Sequence, residues 1–263
     1  MRYSTPITVT CVSVIVQVVA LWGAILATGG IPKVELLPVL LIVLVGATQL
    51  GVRLFAYTGV QKIGASRSSA LQSTSPLISS GIAIALLGER VSGGIILGTV
   101  LVVCGIVLLS WRPDEVIPSY RWWHLLLPLG AAFLTGVNHP IRRYALTISI
   151  EPLLFSAIMG TSSLVFFLIY RGLLSSKERL VWDRRALLPF IVTGFCETLS
   201  ILFIITALSR GPVVIVAPLA ATYPMWALLG TIIFLRDVER INSRTIAGIL
   251  SVVVGTISVS LAR

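Results

Sequence analysis

Leu86-Leu87-Gly88-Glu89-Arg90-Val91-Ser92 returns later in the chain as Arg236-Asp237-Val238-Glu239-Arg240-Ile241-Asn242. The shared core is Glu-Arg-aliphatic-polar, and its two occurrences stand about 150 residues apart, a spacing that reads as duplication of a large unit. The same offset pairs Gly98 with Gly248 and Gly105 with Gly255. Upstream, Gly64 answers Gly211 and Pro76 answers Pro224 at slightly shorter offsets. Chance likeness between apolar helices would match Leu and Val. It would not match Gly, Pro and Glu-Arg in one order over about 50 residues.

The sequence around these copies belongs in lipid. Of 263 residues, 56% are hydrophobic and 11% are charged, against about 25% charged in a soluble domain. Hydropathy gives about nine candidate transmembrane spans, near 7–28, 36–58, 69–88, 92–111, 122–141, 152–171, 186–208, 212–235 and 244–262. All should be helices, because open sheet edges cannot exist in the bilayer interior. The connections are short, and none has room for a folded soluble domain.

Counted from the copies, the repeat unit is five helices. The second repeat, 121–263, has all five. The first, 1–111, has four and is expected to lack its opening helix, through truncation or as a true nine-helix variant. An odd number of crossings makes the tandem copies face the membrane in opposite senses. That is an inverted-topology repeat, an arrangement found in many secondary transporters. The net charge is +10. Lys and Arg fall mainly in the connections, with roughly twice as many on the side of the N-terminus, which the positive-inside rule places in the cytoplasm. That distribution argues for membrane topology and against a nucleic-acid partner, since no basic patch carries interleaved aromatics. Cys11, Cys104 and Cys196 lie in apolar runs without metal-ligand spacing, and no metal or cofactor is expected.

The five-plus-five pattern resembles the EamA-type transporters of the drug/metabolite transporter superfamily. The resemblance rests on the helix from Ser68 through Pro76 to Gly88-Glu89-Arg90, the glycine-spaced helix with Gly98 and Gly105, and their second appearance at Pro224, Glu239-Arg240, Gly248 and Gly255. It covers the chain apart from the missing first helix. It implies an all-α, ten-helix bundle reduced here to about nine. It also implies a multi-pass cell-membrane carrier, an exporter of small metabolites such as amino acids, working by alternating access at a central cavity between the repeats. The alternatives are a lipid-carrier translocase of similar fold and a non-transporting subunit or inactive truncated paralogue.

Several residues stand out as substrate-binding candidates. Arg53 and Glu197 are charges in mid-span, where a charge costs about 2.5–3.5 kcal/mol on insertion scales. Their spans are equivalent in the two halves, so the pair could meet near the pseudo-twofold axis. There Arg53 would attract an anionic substrate group and Glu197 would take up coupling protons; the plainer alternative is a structural ion pair. Asn138 and His139 sit near the end of the span that opens the second half. They could bond substrate, and EamA-like proteins often carry a polar residue there; Pro140 and Arg142-Arg143 follow at once, so the headgroup region is the alternative. Pro76 and Pro224 are expected to break their helices, each freeing a carbonyl, and to act as hinges. Gln72 and Tyr223 beside them are further candidates for lining the cavity. Gly98, Gly105, Gly248 and Gly255 are expected to pack helices, within the chain or in a homodimer. Glu89 and Glu239 should pair with Arg90 and Arg240 or close a helix end. Trp111, Trp122 and Trp123 fit an interfacial belt. No Walker loop, Gly-x-Ser-x-Gly elbow or His-Glu-x-x-His motif is present, so an enzyme is not expected.

Overall fold

The computed structural model describes residues 6–110, 121–174, 184–226, 229 and 243–262. Trp111, Glu239 and Arg240 lie outside these residues, as does most of the expected span beyond 226. The described chain is helical: α1 (Pro6–Ala27), α2 (Leu36–Ile63), α3 (Ala65–Gln72), α4 (Ser75–Leu87), α5 (Gly93–Ser110), α6 (Leu126–Ile148), α7 (Pro152–Leu174), α8 (Arg184–Arg210), α9 (Val213–Ala220) and α10 (Ser243–Leu261). Among the described residues, six segments are long and apolar enough to cross a bilayer, and Gly93–Leu109 and Val213–Trp226 are shorter apolar helices. Side chains such as Leu26, Leu86, Leu188 and Phe203 stand exposed on these helices, as lipid-facing residues must. The chain is thus an all-helical integral membrane bundle.

Two compact units emerge, Met1–Leu54 with Ile141–Arg210, and Phe55–Pro140 with Gly211–Arg263. Each draws on both sequence copies, and α2 and α6 contribute residues to both units.

In the second unit, the expected span 69–88 is two helices. The chain turns at Ser73-Thr74 between α3 and α4, and it turns again at Ala221-Thr222 before helix resumes at 223. The two interruptions match bond for bond. Ser73 and Ala221 donate from backbone N–H to the carbonyls of Ser69 and Ala217 at 3.0 and 3.1 Å. The Thr74 and Thr222 hydroxyls donate to the carbonyls of Leu71 and Leu219, each at 2.7 Å. Pro76 is in the first turn of the resumed helix, and Pro224 is the second residue of its segment. Each turn lies between a proline and the carbonyl four residues before it, the bond that a proline nitrogen cannot make. The hydroxyls satisfy backbone carbonyls at the turn, and each proline opens the next segment, where its missing N–H costs little.

Helices α5 and α10 end the two copies and pack against each other. Gly98 faces Gly255 while Gly105 faces Gly248. An early residue of one helix thus meets a late residue of the other, so these two helices run antiparallel. The glycine faces are used within the chain. Val102, Ile106, Ala221, Met225 and Val252 form the apolar cluster beside them.

The Gly-Glu-Arg motif also finds its reason here. Gly88 ends α4 at φ 64°, a left-handed conformation that only glycine adopts freely. The turn sends Glu89 to the start of α9, where its two carboxylate oxygens accept the backbone N–H groups of Val213 and Val214 at 2.9 and 3.0 Å. Glu89 closes a helix end, but the end belongs to a helix of the other copy. A carboxylate at a helix N-terminus satisfies orphan donors and meets the positive end of the helix dipole. Glu89→Ala should therefore cost about 2 kcal/mol, read as a lower unfolding temperature in detergent. Glu89→Gln, which keeps an acceptor but loses the charge, should fall between.

In the first unit α1 packs on α7 and α8. Trp22 Nε1 donates to Thr161 Oγ1 of α7 at 2.8 Å, and the Ser162 hydroxyl of α7 donates to the Val43 carbonyl of α2 at 2.7 Å. Such side-chain bonds hold helices together where lipid removes the hydrophobic drive between them.

Candidate functional site

In the first unit, α1 is apolar except for Thr8, Thr10, Ser13 and Gln17 along its buried side. Ser13 and Gln17 are four residues apart and so share a helix face. Arg53 of α2 reaches both. One terminal nitrogen donates to Ser13 Oγ at 3.1 Å and the other to Gln17 Oε1 at 3.0 Å. The latter nitrogen also lies 3.3 Å from Glu197 Oε2 on α8. The sequence expectation that Arg53 and Glu197 meet is thus met in geometry. The pair is unequal, with Arg53 4% exposed and Glu197 31%. The arginine is sealed, whereas the carboxylate keeps an open side.

The site is not saturated. Among the described residues, Arg53 Nε and Gln17 Nε2 are buried donors with no hydrogen-bond partner. A buried donor without an acceptor costs free energy. An oxygen-bearing group near Arg53 would recover that cost. Neither Ser13 nor Gln17 was a sequence candidate, although their spacing in an otherwise apolar run was a visible signal.

The expected span 122–141 is displaced. A 3-10 turn at Trp122–Leu125 precedes α6, which runs to Ile148. Asn138 and His139 are 1% and 6% exposed, well inside the helix and away from its end. The Pro140 and Arg142-Arg143 signals, which read as a helix end, are accommodated instead. Pro140 lies within the helix. Arg142 donates to Gln49 Oε1 of α2 at 2.9 Å. Arg143 donates to the carbonyls of Leu208 and Ser209 at 2.7 and 3.3 Å, closing the C-terminal turn of α8 with a cation at its negative end.

The other candidates belong to the second unit. Gln72 ends α3, and its Nε2 donates to the Ser68 hydroxyl at 3.0 Å. The Tyr223 hydroxyl is hydrogen-bonded to Ser69 one turn earlier on α3. Gln72 and Tyr223 thus share the neighbourhood of the Thr74 interruption, with Pro76 and Pro224 each just beyond its own turn. Among the described residues, no group of three or more His, Cys, Asp or Glu side chains could hold a metal ion.

A family model described as the EamA-like transporter family matches residues 1–111 and 121–261. No curated protein matches the chain. A solved structure titled "Crystal structure of protein" is similar at TM-score 0.81 and 15% identity, covering 98% of this chain and 90% of that one. At that identity the likeness concerns the fold alone.

Proposed function

The chain belongs to the EamA-like transporter family, and from that premise we propose that it is a secondary carrier of small metabolites in the cell membrane. It exports solutes such as amino acids by alternating access, and protons drive the movement. The repeats 1–111 and 121–263 are its two inverted halves, and Pro76 and Pro224 mark the hinges. Within the second unit, Asn138, His139, Gln72 and Tyr223 are candidate solute-contacting residues.

The observation that carries this reading is the sealed Arg53 held against Ser13, Gln17 and the half-open Glu197. An ion pair inside a membrane bundle is costly to bury, and it adds little stability over an apolar pair of the same shape. As a working site it has a clear use. Arg53 attracts an anionic group of the solute. Glu197 is then released and takes up a proton from its open side, so one event is conditional on the other.

Liposomes with an imposed proton gradient and a panel of metabolites test this. Wild-type protein should move at least one solute faster with the gradient than without it. Glu197→Gln should bring gradient-driven movement down to the gradient-free rate, while solute counterflow, which needs no net proton transfer, continues. A gradient response unchanged in Glu197→Gln would remove the coupling role. Movement of prenyl-linked lipids alone would replace the metabolite reading with a lipid carrier.

A further inference from the structure

Arg142 is 5% exposed, and among the described residues its guanidinium donates to the neutral amide oxygen of Gln49. Its Nε is buried without a partner, and no carboxylate stands within ion-pair distance of it among the described residues. A guanidinium is never deprotonated at physiological pH, so this is a full positive charge held in the protein without a counter-ion. Arg143 next to it is occupied with the end of α8. Arg142 closes no helix end, and its bond to the neutral Gln49 leaves its charge unbalanced.

Its place on the fold gives the charge a direction. Gln49, which Arg142 grips, precedes Arg53 by four residues on α2, one helical turn or about 6 Å along the axis. The same face of α2 therefore serves two buried arginines. Glu197 sits against Arg53, which leaves the Arg142 charge uncompensated among the described residues. Buried charges without partners are retained where a ligand supplies the partner.

We propose that Arg142 is a second anion-binding group and that the solute is a small organic dianion spanning Arg53 and Arg142. Two carboxylates, or a carboxylate and a phosphate, meet the two guanidiniums, each of which offers a planar fork of donors suited to such groups. Gln49 is the positioning residue that holds the Arg142 fork toward α2. The inference rests on the proposed role of Arg53 as the solute's anchor and adds the class of solute.

The test uses the full chain in nanodiscs of phosphatidylcholine, with thermal unfolding followed at matched ionic strength. The probes are succinate, glutamate and phosphoenolpyruvate, with propionate as the monoanion. At least one of the first three should raise the midpoint by roughly 3 °C more than propionate does. Arg142→Gln should erase that advantage and Arg142→Lys should keep part of it. Gln49→Glu should erase it too, because it gives Arg142 a permanent carboxylate. That variant adds an ion pair, so it tests the idea even if Arg142→Gln fails to fold.

An advantage that survives Gln49→Glu and Arg142→Gln overturns the proposal. So does a wild-type protein that does not distinguish the three probes from propionate. A shift obtained only by adding phosphatidylglycerol to the disc assigns the charge to a lipid headgroup and overturns the solute. Arg53→Gln separates the two readings. If it abolishes all carboxylate shifts while Arg142→Gln abolishes none, the Arg53 site stands and the role of Arg142 falls. If the shifts ignore Arg53→Gln, the Arg53 anchor falls and the bridging dianion falls with it.

Discussion

Arg53→Ala is expected to lower solute transport in reconstituted vesicles by about thirtyfold or more while folded protein is still recovered. Losing a charge-assisted contact to an anionic group costs about 2–5 kcal/mol, and each 1.4 kcal/mol is a factor of ten. The substitution also leaves Ser13 and Gln17 without their donor. Breaking a buried ion pair would ordinarily destabilise the fold by about 3–5 kcal/mol, because one charge is stranded. Here the stranded group would be Glu197, which is 31% exposed and can be neutralised or solvated from its open side. The expected loss of stability is therefore smaller than the loss of transport. Size-exclusion profile, unfolding temperature and initial transport rate, measured on one preparation, separate the two. Collapse of the folded peak, with normal transport per folded molecule, would make the pair structural. Arg53→Lys keeps the charge but loses the fork, and should recover only part of the rate.

The largest effect on folding is expected at the seam between α5 and α10. A Cβ at Gly98 would lie 2.6 Å from the Gly255 carbonyl oxygen and 2.9 Å from the Val259 backbone nitrogen. A Cβ at Gly255 would lie 2.6 Å from the Gly98 carbonyl. Backbone cannot turn aside as a flexible side chain can, so the helices must separate. Overpacking costs about 1–3 kcal/mol where side chains yield, and Gly98→Val should lie at or beyond the upper end. We expect little folded protein from Gly98→Val and a clearly lowered unfolding temperature from Gly98→Ala. Gly23→Ala on α1 is the control, since a Cβ there meets nothing within 4 Å and alanine is the better helix former. Equal behaviour of Gly98→Ala and Gly23→Ala would show that the seam tolerates opening. Gly98→Ala and Gly255→Ala, which strain one crossing, should combine non-additively.

Much of this was legible in the sequence because lipid leaves few choices. Apolar run length marks the helices. The repeated glycines gave the α5–α10 seam, and two charges in mid-span gave the Arg53–Glu197 contact. The misreadings came where polar signals have two meanings. Pro140 with Arg142-Arg143 has the composition of a helix end, but Gln49 and the last carbonyls of α8 accept those guanidiniums and α6 runs on. Pro76 and Pro224 stand just after turns at Thr74 and Thr222, whose hydroxyls bond their own helices, a detail that composition does not show. Ser13 and Gln17 gave a weak signal because neutral polar residues are ordinary in membrane helices. Only the burial of Arg53 against them gives them weight. The partner of Glu89 could not be read at all, since it is a pair of backbone groups, and backbone leaves no mark in composition.

That last contact has a consequence for biogenesis. Glu89 waits for the helix starting at Val213, 124 residues downstream, and Ser92 bonds the Ala262 carbonyl, 170 residues downstream. The ribosome delivers α4 and α5 to the membrane long before their partners exist. Until α9 and α10 emerge, the nascent chain holds an unsatisfied carboxylate and a bare glycine groove beside the translocon. Contacts so distant in sequence form late and slowly. The cell must therefore shelter a half-made protein through most of its synthesis, and a chain interrupted before α10 would be a target for membrane quality control.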